Sequence, residues 1–104
     1  MEPTVEQSAT ILDGRAIASQ VRAEIVDRVS AIRARGGAVR LDAILAAGPD
    51  SAAAVYAESQ GTACEKLGID YHLHRLPADA NYDDVAGRVL LLNTEDDVTG
   101  VMVH

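Results

Sequence analysis

The strongest constraint on this chain is an alternation. Short apolar stretches recur between segments of helical length, and turn residues punctuate them. Leu41–Ala47 is apolar apart from Asp42 and ends in Gly48-Pro49-Asp50-Ser51, which reads as a buried strand followed by a loop. Ile69–Leu76 alternates weakly and is ended by Pro77; Val98–His104 reads as a third strand. Helical patterns lie between them. Ile17, Val21, Ile25, Val29 and Ile32 recur every three or four residues and predict a stripe on a helix over 13–35. Asp13 is its expected cap and Gly36-Gly37 its left-handed stop. A second helix is expected over 51–67, with Val55, Ser59, Ala63 and Leu67 four apart and Gly68 closing it. A third, over 82–92, has Asn81 as cap, Asp83 and Asp84 in the first turn, and Val85, Val89 and Leu92 as its stripe. Strands that alternate with helices imply a parallel sheet with right-handed crossovers. The expected fold is therefore three-layer α/β/α, with a short parallel sheet of about three strands in the order helix-strand-helix-strand-helix-strand. Residues 1–10 show no periodicity and read as a mobile arm, leaving 11–104 as one α/β domain.

Charge and composition exclude several function classes. Nine Lys+Arg face sixteen Asp+Glu, a formal net charge of -7. A phosphate backbone needs a basic face, and an anionic lipid surface would repel this chain, so neither nucleic acid nor membrane is expected as a partner. The acidic opening Met1-Glu2-Pro3-Thr4-Val5-Glu6 does not resemble a secretory leader, which makes the cytoplasm the expected compartment. Cys64 is the one cysteine, and mid-helix among Ala63 and Leu67 it reads as a small buried apolar residue. With no Phe or Trp and three Tyr, the core must be built from Val, Ile, Leu and Ala.

Four features could carry chemistry. The loop Gly48-Pro49-Asp50-Ser51 lies at the carboxyl end of a parallel strand, where α/β folds bind ligands. The competing reading is an ordinary turn and helix cap. Tyr56 lies one turn into the second helix with Gln60 four residues on, an arrangement that could floor a pocket for a planar ligand. A Tyr with its hydroxyl in water is the plainer alternative. His72 and His74 project from one strand face and could hold a metal, but no third ligand is evident, so no metal is expected and a solvated strand face is. His104, at the carboxyl end of the third strand, stands at the expected binding edge with a side chain able to take a proton near pH 7.

These residues together resemble a family. Ile11-Leu12-Asp13-Gly14-Arg15-Ala16-Ile17-Ala18 is similar to the opening I-x-D-G-K-x-I-A of the bifunctional methylenetetrahydrofolate dehydrogenase/methenyltetrahydrofolate cyclohydrolase family. Tyr56 followed by Ala63-Cys64-Glu65-Lys66-Leu67-Gly68-Ile69 resembles its Y-x-x-x-K-x-x-A-C-E-x-x-G-I helix. Leu76-Pro77, Leu92-Asn93 and Val98-Thr99-Gly100-Val101-Met102-Val103 follow in the family's order, so the resemblance covers about residues 11–104. It implies a folate-binding domain with a cleft beside the Tyr-bearing helix, and a tetrahydrofolate derivative as ligand.

Residue by residue, the resemblance implies the following. Tyr56 matches the tyrosine that packs on the folate. Gln60 stands where the family has its catalytic lysine, Ala53 where it has a serine, and His104 where it has the glutamine that hydrogen-bonds the lysine. Lys66, the one lysine in the chain, is about 80° around the helix from Tyr56 and cannot substitute. An amide cannot shuttle protons near pH 7 as a tuned lysine can. With no Gly-rich phosphate loop, NAD(P) binding by this chain alone is not expected. Three functions follow as expectations: a degenerate folate-site domain that keeps the cleft; a fragment of a longer enzyme, or an altered cyclohydrolase using His104; or a protein-interaction module without ligand. The apolar side of the third strand suggests a homo-oligomer or a partner chain.

Overall fold

The structure is a computed structural model and describes residues 10–104. The arm expected over 1–10 lies, apart from Thr10, outside the described residues. The elements follow in the expected order: α1 (Gly14–Ala34), β1 (Arg40–Leu45), α2 (Ala52–Leu67), β2 (Asp70–Arg75), α3 (Tyr82–Leu92) and β3 (Gly100–Val103). The sheet is parallel with strand order β2-β1-β3. The chain thus steps outward from β1 to β2 and then returns past β1 to β3. With crossovers of one hand, that reversal sends α2 and α3 to opposite faces.

Local chemistry sets each helix end. The Asp13 carboxylate accepts from the amides of Arg15 and Ala16 at 3.1 and 3.2 Å, and Gly36 turns the chain at φ +80°. Gly68 closes α2 at φ +81°, a conformation that side-chain-bearing residues avoid. Asn81 and Asp84 cap α3 reciprocally: the Asn81 side chain accepts from the Asp84 amide at 2.9 Å, and the Asp84 carboxylate accepts from the Asn81 amide at 3.0 Å. Arg33 near the end of α1 donates to the Gly68 carbonyl at 2.7 Å and to the Val39 carbonyl at 3.3 Å. It ties the end of α1 to the end of α2 and the entrance of β1.

The core centres on β1. Asp42, Ala43, Ile44 and Leu45 are all buried, as the middle strand of a covered parallel sheet requires. Register places Leu41, Ala43, Tyr71, Leu73 and Met102 on the α2 face, and Asp42, Ile44, His72, His74, Val101 and Val103 on the α3 face. Leu92 and the half-buried Val85 and Val89 form the inner side of α3, as the stripe predicts.

Two expected stripes need correction. On α1 only Val29 is buried, while Ile17 and Val21 are 51% and 45% exposed, because α1 packs on α2 through its C-terminal half. On α2, Val55 is 61% exposed, and Ser59 and Ala63 also face outward. The inner face is Ala54, Ala57, Gly61 and Cys64. Small residues prevail there because the Tyr71 ring lies directly on the helix. A Cβ on Gly61 would come within 2.8 Å of that ring, and the Tyr71 hydroxyl donates to the Ala57 carbonyl at 2.7 Å.

Candidate functional site

The strand order locates the site. In an open α/β sheet the crevice lies at the carboxyl ends of the strands, where the chain reverses its direction across the sheet. Here that point lies between β1 and β3. His104 closes β3 at this edge: its amide donates to the Ile44 carbonyl at 2.8 Å, and its carbonyl accepts from the Ala46 amide at 3.3 Å. The His104 ring is thereby fixed beside the exit of β1.

The loop between β1 and α2 contributes a cap and no evident ligand group. The Ser51 hydroxyl donates to the Gly48 carbonyl at 2.6 Å and accepts from the Ala54 amide at 3.1 Å. Both roles of the hydroxyl are engaged internally, so the ordinary turn-and-cap reading fits this segment.

Helix α2 brings Tyr56 and Gln60 to His104. Tyr56 is 65% exposed, and its ring lies 5.7 Å from the His104 ring, tilted at 56°, within the range of favourable aromatic contacts. The Gln60 carbonyl oxygen is 3.0 Å from His104 Nε2 and 3.3 Å from the Tyr71 hydroxyl. Its amide nitrogen donates to the Met102 sulfur at 3.0 Å. An open hollow of about 310 Å³, lined by Tyr56, Ser59, Gln60 and Ala63, adjoins the cluster. Ala53, half-buried in the first turn of α2, is not among its lining residues. A hollow of about 640 Å³ lies between Leu76-Pro77 and α3, but its Asp84 is engaged in the helix cap and its Arg88 in the cluster described next.

The opposite face of the sheet holds a polar cluster that residue patterns did not reveal. Asp42 is fully buried. Arg40 grips both carboxylate oxygens, at 2.8 and 2.9 Å, and His74 Nε2 lies 2.7 Å from Oδ2. Arg88 of α3 reaches His74 Nδ1 at 3.3 Å, and Glu95 lies 3.6 Å from Arg40. Burial pushes the Asp42 carboxyl up, but the hydrogen bonds from Arg40 and His74 outweigh it and hold it below the usual carboxylate value. The bond to Asp42 correspondingly holds the Arg40 guanidinium above its usual value. The solvated-face reading of the two histidines therefore fails for His74, which is half-buried and paired, while His72 remains exposed. The available signal was Asp42 itself, a lone carboxylate inside an apolar run. Among the described residues no group of three His, Cys, Asp or Glu side chains could hold a metal ion. Cys64 is buried and free, with its thiol pushed up by that burial.

Comparison with known proteins bears on this arrangement directly. Residues 12–104 match the tetrahydrofolate dehydrogenase/cyclohydrolase catalytic domain. The chain belongs to the tetrahydrofolate dehydrogenase/cyclohydrolase family. It is 40% identical over 96 residues to bifunctional protein FolD 1 of Rubrobacter xylanophilus, covering 92% of this chain and 34% of that one. It is 38% identical over 96 residues to bifunctional protein FolD of Moorella thermoacetica, again covering 92% of this chain and 34% of the relative. The chain thus spans about a third of the length of these relatives. Among solved structures, the bifunctional FolD methylenetetrahydrofolate dehydrogenase/cyclohydrolase of Campylobacter jejuni superposes with a TM-score of 0.84 at 27% identity, over 91% of this chain and 33% of that one. A 5,10-methylenetetrahydrofolate dehydrogenase of the silkworm Bombyx mori gives 0.81 at 25% identity, over 91% and 33%. The open α/β fold of this chain is thus that of the tetrahydrofolate dehydrogenase/cyclohydrolase catalytic domain.

Proposed function

We propose that this domain binds a reduced folate at the carboxyl edge of its sheet, against the exposed face of Tyr56, and does not perform lysine-dependent chemistry. The observation that carries this reading is the convergence of Tyr56, Gln60 and His104 at the β1/β3 crevice. An exposed aromatic ring suits a flat heteroaromatic ligand, and Gln60 offers a hydrogen-bonding amide beside it. Gln60 stands at the position of the family's catalytic lysine. It can orient a carbonyl or a water but cannot deliver a proton near pH 7. Ala53, in place of the family's serine, offers no hydroxyl. On this reading the domain is degenerate: a folate-type cleft without the usual reaction, and without NAD(P) binding of its own.

A second reading rests on a specific contact. His104 brings an imidazole to the cluster, and Gln60 holds its ring in place. An altered cyclohydrolase could use that imidazole as base toward a water attacking a methenyl carbon. A ligand-free interaction module is the third reading, favoured by the 41% and 54% exposure of Met102 and Val103 on an edge strand. The exposed edge of β3, with an apolar side chain on each face, supports association with a second copy or a partner chain. No described helix is long and apolar enough to cross a membrane.

Thermal unfolding with 5,10-methenyltetrahydrofolate or 5-formyltetrahydrofolate separates these readings. Binding to the folded state raises the midpoint with ligand concentration. A concentration-dependent rise without hydrolysis of the methenyl compound fits the degenerate site. A rise with hydrolysis that disappears in His104→Ala fits the altered enzyme. No rise with either folate contradicts both.

A further inference from the structure

We propose that Gln60 is a positioning residue that keeps the imidazole proton of His104 on Nε2 and leaves Nδ1 as the free basic nitrogen of the site. The inference deepens the His104 reading above, but it concerns an arrangement present without any ligand.

The argument begins at Met102. A thioether sulfur accepts a hydrogen bond weakly and cannot donate one. The Gln60 amide places its nitrogen 3.0 Å from that sulfur. Turning the amide over would set its carbonyl oxygen against the sulfur, two acceptors face to face, and lose the N–H donor. Met102 therefore fixes which end of the amide points toward His104. The oxygen that results faces His104 Nε2 at 3.0 Å and can only accept. The Tyr71 hydroxyl, 2.7 Å from the Ala57 carbonyl and 3.3 Å from Gln60 Oε1, shares its one hydrogen between the two and adds a weak donor to the oxygen, in keeping with this orientation. His104 Nε2 must therefore carry the proton. Nδ1, on the far side of the ring carbon between the two nitrogens, has no side-chain hydrogen bond among the described residues.

Register makes this alignment possible. Met102 is opposite Ala43 on the α2 face of β3, and His104 follows it by two residues. Gln60, one turn beyond Tyr56, is in reach of both. The groups facing His104 are Tyr56 and Gln60 of α2, with Tyr71 of β2 behind Gln60; none of the three is charged near neutral pH.

The chemical consequence is a base with a fixed direction. When water attacks a methenyl carbon, its oxygen forms the new bond to carbon, the carbon–nitrogen π pair returns to the ligand's nitrogen, and the O–H proton passes to the lone pair of Nδ1. The imidazolium then carries hydrogen on both nitrogens. Gln60 continues to accept from Nε2, so it supports the charged ring without changing its own state. The proton later leaves from Nδ1.

Nitrogen-15 NMR of the histidine-labelled, ligand-free chain tests this, with His104→Ala assigning the His104 signals among the three histidines. The wild type is expected to favour the Nε2–H form about fivefold more than free histidine does, the bias of one ordinary hydrogen bond. Gln60→Leu is expected to return the ratio to that of free histidine. Gln60→Lys, which can only donate, is expected to invert it toward Nδ1–H. Met102→Leu is expected to weaken the bias by freeing the amide to turn. A wild-type ratio equal to that of free histidine, or a ratio unchanged in both Gln60 variants, overturns the proposal. The measurement needs no folate, so a failure of folate binding and a failure of this assignment are distinct results.

Discussion

Two polar clusters sit on opposite faces of one three-stranded sheet, and each contains a histidine. Toward α3, His74 lies beneath a helix between a fully buried carboxylate and an arginine. Toward α2, His104 lies at the open carboxyl edge between an exposed tyrosine and an uncharged amide. The first cluster is closed: Asp42 pairs with Arg40 and His74, Arg88 bonds the other His74 nitrogen, and the group links β1, β2, α3 and the loop carrying Glu95. The second presents an exposed tyrosine, and among the described residues His104 Nδ1 has no side-chain hydrogen bond. The same residue type thus holds the fold together on one side and faces a prospective ligand on the other. Burial and the charge of the neighbours decide which role it takes.

Breaking each cluster should separate stability from binding. The largest effect is expected at Asp42. Asp42→Ala leaves Arg40 and His74 without their shared carboxylate inside the sheet and should cost about 3–5 kcal/mol in urea unfolding. His104→Ala, at the edge, should cost about 1 kcal/mol or less in the same experiment. Equal losses would erase the distinction.

The pH response sharpens the same comparison. The Asp42 carboxyl is lowered in the folded state, so its contribution is complete above the unfolded value near 3.8. It is lost as pH falls below that value and through the lower folded one. Asp42→Asn should flatten the acid limb of stability against pH, and His104→Ala should leave that limb as it is. Circular dichroism melts between pH 2 and pH 6, on the order of the carboxylate range, read this directly.

A smaller effect is expected where α2 meets β2. Gly61→Ala sets a methyl group against the Tyr71 ring at under 3 Å, at a cost of about 1–3 kcal/mol, offset by about 1 kcal/mol of helix propensity. Because Tyr71 stands behind Gln60, this change should also disturb the His104 signals. Gly87→Ala, which meets nothing within 4 Å, is the control and should stabilise slightly.

Much of this fold is legible residue by residue. Asp13, Ser51 and Asn81 cap the helices that follow them, and Gly36 and Gly68 stop the helices before them, because capping and left-handed turns depend on local chemistry. The buried face of α2 is not legible in that way. A hydrophobicity stripe selects Val55, whereas the helix turns Ala54, Ala57 and Gly61 inward to admit a ring from β2. The partnership of Asp42 with His74 is equally hidden, since it depends on strand register across 32 positions of chain. The site lies between these cases. Tyr56 and Gln60 share a helix face by spacing, and His104 ends a strand at the binding edge. Their meeting with Met102 and Tyr71 required the assembled sheet.

The central claim is that the edge cluster, unlike the buried one, is a folate site. Isothermal titration of 5-formyltetrahydrofolate into the wild type and Tyr56→Ala tests it most directly. We predict saturable binding at one site per chain, weakened at least about tenfold in Tyr56→Ala, as loss of an aromatic contact worth over about 1.4 kcal/mol requires, with little change in thermal stability. No saturable binding, or equal affinity in a folded Tyr56→Ala, would contradict it.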